Sequence, residues 1–299
     1  MIVPKNLYKY LSPERIDVLQ NKQIRFTQPE ALNDPFELKP LFEELLPESA
    51  IEKALSPSME YLEPALREQY RELPAANKAL ISEDGFVQLI ANNPDLVTQV
   101  YREMEPRMRS FIKDFAPEAK RIMSDILSKE VGILSLSESI DSNLLWSHYA
   151  ASHTGFVLEF DTSNQFFQRR RSENDELYHL RKVVYRDRCS EGRTLEDING
   201  EDILLTKGSS WEYETEWRVL APTRDASVVL QPENDPIYLF DFPPSVVSRV
   251  ILGAKCSEDL APKLKSIIEL DSELRPIISK IALNESSQKL EVIDLASNK

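Results

Sequence analysis

The densest run of reactive side chains is Trp211-Glu212-Tyr213-Glu214-Thr215-Glu216-Trp217-Arg218-Val219-Leu220. Polar and apolar residues alternate there with period two. As a strand, the run puts Glu212, Glu214, Glu216 and Arg218 on one face and Trp211, Tyr213, Thr215, Trp217 and Val219 on the other. Three carboxylates in a row repel one another unless water or cations meet them. The row is therefore either the wet face of a half-buried strand or a carboxylate pair poised for a cation, a hydroxyl or a metal. In the second case the aromatic face holds the carboxylates rigid.

Three other stretches carry chemistry. In Gly132-Ile133-Leu134-Ser135-Leu136-Ser137-Glu138-Ser139, a strand puts Ser135 and Ser137 on one face, either towards water or as the wall of a polar pocket. In Leu145–Gly155, His148 and Ser152 are four apart and share a face if the segment is helical. His153 then sits at the negative helix end, with Gly155 as the C-terminal cap. Trp146 and Tyr149 are three apart, placed for the core or for stacking on a flat ligand. Finally, Lys9 lies between Tyr8 and Tyr10, and Arg25 between Ile24 and Phe26. Both cations are placed to meet a phosphate, one of the glutamates, or a buried partner. The turn Asn33-Asp34-Pro35-Phe36-Glu37 follows them.

The elements that must position these groups follow from local pattern. Leu7–Tyr10 reads as a strand. Ser12-Pro13-Glu14 opens a helix over about 13–22, and Ile24–Thr27 reads as a second strand. Residues 38–131 read as helical throughout, cut into short helices by Pro47, Pro57, Pro64, Pro74, Pro94, Pro106 and Pro117. Beyond them, strands are expected at Gly132–Ser137, Gly155–Asp161, Lys182–Arg186, Tyr213–Ala221, Pro236–Phe242, Ser248–Leu252 and Leu290–Leu295. Helices are expected at Leu144–Ala151, Ile198–Lys207 and Glu258–Leu270, with loops at 173–176 and 225–235. The expectation is α+β: a single domain over 1–299, a mixed or antiparallel sheet core, and a helical insertion over about 38–131.

Composition sets outer bounds. The chain has 299 residues, 41% of them hydrophobic and 29% charged, enough for a packed core. Only seven glycines argue against glycine-loop nucleotide folds. Cys189 and Cys256 are too few for a disulfide framework, and with His148, His153 and His179 they match no structural zinc spacing. The net charge of −14 disfavours non-specific nucleic-acid binding, although Arg169, Arg170 and Arg171 form a short basic patch. No apolar run reaches about 18 residues. The start MIVPKNLYKY lacks an apolar core, so a cytoplasmic protein without a membrane partner is expected.

In this order, Leu7–Tyr10, Asn33–Glu37, Leu134–Glu138, Leu145–Ala150 with His153 and Gly155, and Trp211–Arg218 resemble the bacterial family called domain of unknown function 2971. A weaker resemblance is to the ADP-ribosyltransferases. These carry a basic or histidine residue on an early strand, a serine-rich strand and a Glu-x-Glu opening a later strand. Lys9 or Arg25 looks like the first, Ser135-Leu136-Ser137 like the second and Glu214-Thr215-Glu216 like the third. The early residue is normally Arg or His, which Lys9 is not, and Arg25 lies on another strand.

This second resemblance implies an ADP-ribosyltransferase-like fold, NAD as substrate and catalysis by Glu216 and Glu214. Glu216 would steady the charge developing on ribose, and Glu214 would orient or deprotonate the acceptor. Ser135 and Ser137 would shape the nicotinamide side, and Lys9 or Arg25, among Tyr8 and Tyr10, would hold the diphosphate. Trp146, His148 and Tyr149 would line the acceptor or adenine side. The acceptor would be a protein, a nucleic acid or water, in a toxin or phage-defence effector. Two other readings stand beside it. One is a metal-dependent nuclease or hydrolase using Glu212, Glu214 and Glu216 with Asp34 or Glu37. The other is a non-enzymatic binding module, an antitoxin or sensor with an operon partner.

Overall fold

The structure, a computed structural model, describes residues 2–37, 39, 42–56, 58–187, 193–232 and 235–295. Pro57 and Cys189 lie outside the described residues. The strands are β1 (Asn6–Leu11), β2 (Gln23–Phe26), β3 (Val131–Ser137), β4 (Phe156–Asp161), β5 (Leu180–Lys182), β6 (Val184–Tyr185), β7 (Thr206–Lys207), β8 (Glu216–Pro222), β9 (Val228–Leu230), β10 (Ile237–Asp241), β11 (Val247–Leu252), β12 (Ile277–Asn284) and β13 (Lys289–Asp294). The helices are α1 (Asp17–Asn21), α2 (Glu48–Ala54), α3 (Met59–Glu72), α4 (Ala75–Lys78), α5 (Glu83–Ala91), α6 (Pro94–Glu130), α7 (Asn143–Tyr149), α8 (Gly200–Leu204) and α9 (Leu260–Leu270). The fold is α+β with a mixed sheet core.

The chain forms two compact units. One comprises Met1–Lys39, Met123–Arg188 and Gly200–Lys299; the other comprises Pro40–Ile122 and Cys189–Asn199. The first unit is built on an eight-stranded sheet in the order β13-β12-β11-β4-β1-β3-β8-β5. Its pairs are antiparallel except β11 with β12. That parallel step needs a long crossover, which α9 supplies. One sheet face buries Leu7, Leu11, Leu134, Leu136, Trp217 and Val219 with Phe26 of β2. The opposite face packs Tyr10, Val157 and Ile251 against Leu145 and Trp146 of α7. Alternation along β1 explains both, since Leu7 and Leu11 point one way and Tyr10 the other.

The sheet is weakly joined at its middle. β1 meets β3 through a single register pair, Tyr8 to Ser137. Further along, β3 is instead bridged by Thr27, whose N–H and C=O exchange hydrogen bonds with Ile133 at 2.8 and 2.9 Å. The parting of β1 from β3 opens a gap in the sheet, and several of the candidate residues gather around it.

The second unit is helical. Leu62 and Leu66 of α3 pack with Val87 and Ile90 of α5 and with Val97 and Tyr101 of α6. Pro47 and Pro74 stand just before α2 and α4, and Pro94 opens α6, as proline punctuation requires. Pro64, Pro106 and Pro117 depart from expectation. They lie inside helices, the last two in the 37-residue α6 that runs from one unit into the other. Each forfeits a backbone hydrogen bond, yet the helix continues through it.

Other expectations are also corrected. The Trp211 run is not one strand: Ser209–Glu214 forms 3-10 turns, Thr215 is left-handed at φ 43°, and β8 begins at Glu216. Glu212 is therefore exposed and shares no face with Glu216. α8 ends at Leu204, and Thr206–Lys207 is a strand rather than a helix end. β9 lies within the stretch expected to be a loop, and β12 was not anticipated. α7 stops at Tyr149, so Ser152 shares no helix face with His148. Ala151, Ser152 and His153 carry the positive φ values, at 46°, 56° and 70°. Gly155 serves a different need from capping: a Cβ there would lie 2.1 Å from the Leu11 carbonyl oxygen.

Candidate functional site

A cavity of about 240 Å³ occupies the gap between β1 and β3. Tyr8, Lys9 and Tyr10 reach it from β1, and Ser135 and Ser137 from β3. Glu214 and Glu216 reach it from the turn-to-strand junction of β8, and Tyr149 from α7. Each arrives for a local reason. The register of β3 on β8 pairs Ser137 with Glu216 and Ser135 with Arg218, so their side chains share one face. Thr215, between Glu214 and Glu216, is left-handed, and Glu214, in the turn, still reaches the cavity beside Glu216. The Ser137 hydroxyl donates to the Glu214 carbonyl oxygen at 2.6 Å and holds that turn in place.

The carboxylates are held by two cations. Lys207 Nζ lies 2.6 Å from Glu214, 3.4 Å from Glu216 and 3.5 Å from Glu37. Arg218 donates from Nε to Glu216 Oε1 at 2.8 Å and from Nη2 to Glu216 Oε2 at 3.0 Å. Its Nη2 also bonds Glu37, and its Nη1 donates to the Leu204 carbonyl oxygen at 2.6 Å. The Tyr149 hydroxyl donates to Glu214 Oε1 at 2.6 Å. The Glu216 N–H donates to the Tyr185 hydroxyl oxygen at 2.7 Å. Glu37, Glu214, Glu216, Lys207 and Arg218 are all buried.

Burial moves the protonation equilibria. Loss of water raises the Glu216 carboxyl above its ordinary range, while Lys207 and the Ser135 hydroxyl oppose the rise. Lys207 is held well above the ordinary lysine range because its carboxylate neighbours outweigh its own burial. Burial raises the Tyr149 phenol, and its hydrogen bond to Glu214 adds to this. Lys9 goes the other way. Burial, with Arg15 and Arg25 nearby, pushes it down to about 8 against the pull of Glu216 and Glu214.

Eight of the residues assigned to an NAD site from sequence line the cavity: Tyr8, Lys9, Tyr10, Ser135, Ser137, Tyr149, Glu214 and Glu216. Three do not. Trp146 is wholly buried, donates its indole N–H to the Ile140 carbonyl oxygen and stacks on His153. His148 is exposed on α7, edge-on to Tyr149. Arg25 projects from β2 without lining the cavity. α7 turns Tyr149 inward and His148 outward.

Lys207 was missed altogether, and Arg218 was seen without a role. Glu37 was considered only as a metal ligand. One signal for Lys207 was available: three nearby glutamates need a cation, and a lysine sits just ahead of Trp211. The Lys207 ammonium lies 4.7 Å from the centre of the Trp211 ring.

Residues 145–219 match the model of a family described as Protein of unknown function (DUF2971), which bears out the first resemblance. The matched span runs from α7 into β8 and contains Tyr149, Lys207, Glu214, Glu216 and Arg218. No curated protein and no solved structure matches the chain.

Proposed function

We propose, for a chain whose matched family carries no stated activity, that the cleft between β1, β3 and β8 cleaves the nicotinamide–ribose bond of NAD. ADP-ribose then passes to an acceptor or to water. One arrangement supports this reading: the serines of β3, the tyrosines and lysine of β1 and the Glu214-Thr215-Glu216 segment meet at one cavity. Heterolysis of that bond leaves an oxocarbenium-like ribose, which a fixed carboxylate stabilises. Glu216, fixed by Arg218, fills that role. Glu214, bonded to Tyr149, orients or deprotonates the incoming nucleophile. Ser135 and Ser137 shape the nicotinamide side.

The cavity, at about 240 Å³, is smaller than the roughly 300–1,000 Å³ usual for small-molecule clefts, so it encloses one end of a dinucleotide. The reading extends to a cytoplasmic toxin or phage-defence effector, with a protein or nucleic-acid acceptor and an antitoxin as partner. The metal-dependent alternative fits less well. A divalent cation would have to displace Lys207 and Arg218 to reach Glu37, Glu214 and Glu216.

The test is nicotinamide release from NAD by the purified chain, with and without chelator. Glu216→Gln is expected to slow release by roughly a hundredfold or more, with folding checked by urea denaturation. Chelator is expected to change nothing. A folded Glu216→Gln that releases nicotinamide as fast as the parent overturns the assignment.

A further inference from the structure

Two lysines line the same cavity, and their surroundings differ. Lys207 is within 3.5 Å of three carboxylates and stays an ammonium ion. Lys9 donates a single hydrogen bond, 3.0 Å long, to the main-chain oxygen of Ser135 and forms no ion pair among the described residues. It reaches the cavity where β1 parts from β3, so it combines loss of water with access to a ligand. Glu214 and Glu216 attract a proton to it, and Arg15 and Arg25 repel one. Burial outweighs that attraction, so more of Lys9 is free amine than of an ordinary lysine. A lysine in such a setting, desolvated and near other cations, is the usual form of an amine nucleophile.

We propose that Lys9 is a nucleophilic amine that captures a small aldehyde or ketone as an imine inside this cavity. The neutral Nζ adds its lone pair to the carbonyl carbon, and the carbonyl oxygen takes up a proton. The resulting carbinolamine loses a proton from nitrogen and its hydroxyl, protonated, as water. One amine and one carbonyl thus give one imine and one water, with no oxidant or reductant. Near pH 7.5, an amine titrating at about 8 presents about two orders of magnitude more free base than an ordinary lysine. The proposal goes beyond NAD cleavage, because it concerns the cavity and not the dinucleotide.

Reductive trapping tests it. The full chain is incubated with glyoxylate, and in parallel with uncharged glyceraldehyde, in the presence of cyanoborohydride. Adducts are then mapped by proteolysis and mass spectrometry. Lys9 is expected to be labelled at least about tenfold faster at pH 7.5 than the exposed Lys263 and Lys289. Its rate is expected to reach half its maximum near pH 8, and Lys9→Met should remove that adduct alone. Labelling of Lys9 no faster than of Lys263 and Lys289 overturns the proposal, as does a pH midpoint shared with them. Mapping the parent chain decides this even if Lys9→Met fails to fold. No NAD is present, so failure here and failure of nicotinamide release are read separately.

Discussion

Arg218 and Glu37 stand 181 residues apart in sequence, yet their side chains meet where neither touches water. Buried charges are tolerable only when each has a partner and its remaining hydrogen-bonding groups are filled. Arg218 meets that condition with Glu216, Glu37 and the Leu204 carbonyl oxygen. Removing it would leave two carboxylates with Lys207 as their one remaining close cation. Arg218→Met is expected to destabilise the chain by about 3–5 kcal/mol in urea denaturation. Exposed pairs such as Arg121 with Glu118 are worth far less. A loss below about 1 kcal/mol for Arg218→Met would mean that the buried network contributes no more than a typical surface pair. The residue types of this network were in view from the start. What could not be read locally was that Glu37 belongs to it, because its turn is distant in sequence from β8.

At the scale of elements, local pattern carried most of the strands and failed where tertiary contacts outweighed it. The period-two alternation of Trp211–Arg218 is genuine, yet Thr215 takes a left-handed conformation and the strand starts one residue later. A Ser137 hydroxyl and a neighbouring carbonyl, from a different strand, decide that turn. β12 escaped notice because Ile277–Asn284 has no clean alternation beside its exposed edge partner β13. The prolines of α6 are a further departure: propensity disfavours them inside a helix, yet the 37-residue helix runs through both. Replacing Pro106 or Pro117 by Ala should therefore restore a helical hydrogen bond and raise the urea midpoint. The gain is expected to reach up to about 3 kcal/mol at each position. An unchanged or lowered midpoint in both variants would show that the missing hydrogen bond costs the helix nothing.

For the whole molecule, the excess of acid over base is the governing quantity. With a net charge of −14, the folded state gathers like charge into a small volume and repels itself. Salt screens that repulsion over about 8 Å at physiological ionic strength. Raising ionic strength from about 0.01 to 0.15 M is expected to raise the melting temperature by a few degrees. A fall would mean that exposed ion pairs outweigh the net repulsion. No described helix is long and apolar enough to cross a membrane, in keeping with the abundance of charge.

The amino-acid sequence alone determined the α+β character, the helical stretch after residue 38 and the identity of the carboxylates, serines and β1 lysine that line the cavity. These depend on periodicity, capping and residue type, which act over a few neighbours. Tertiary structure alone decided that β1 and β3 part to leave a cavity. It also decided that Lys207 and Arg218 meet three buried glutamates, and that Lys9 has no carboxylate partner among the described residues. Those outcomes follow from strand order and desolvation, which arise only when distant segments are brought together and water is removed.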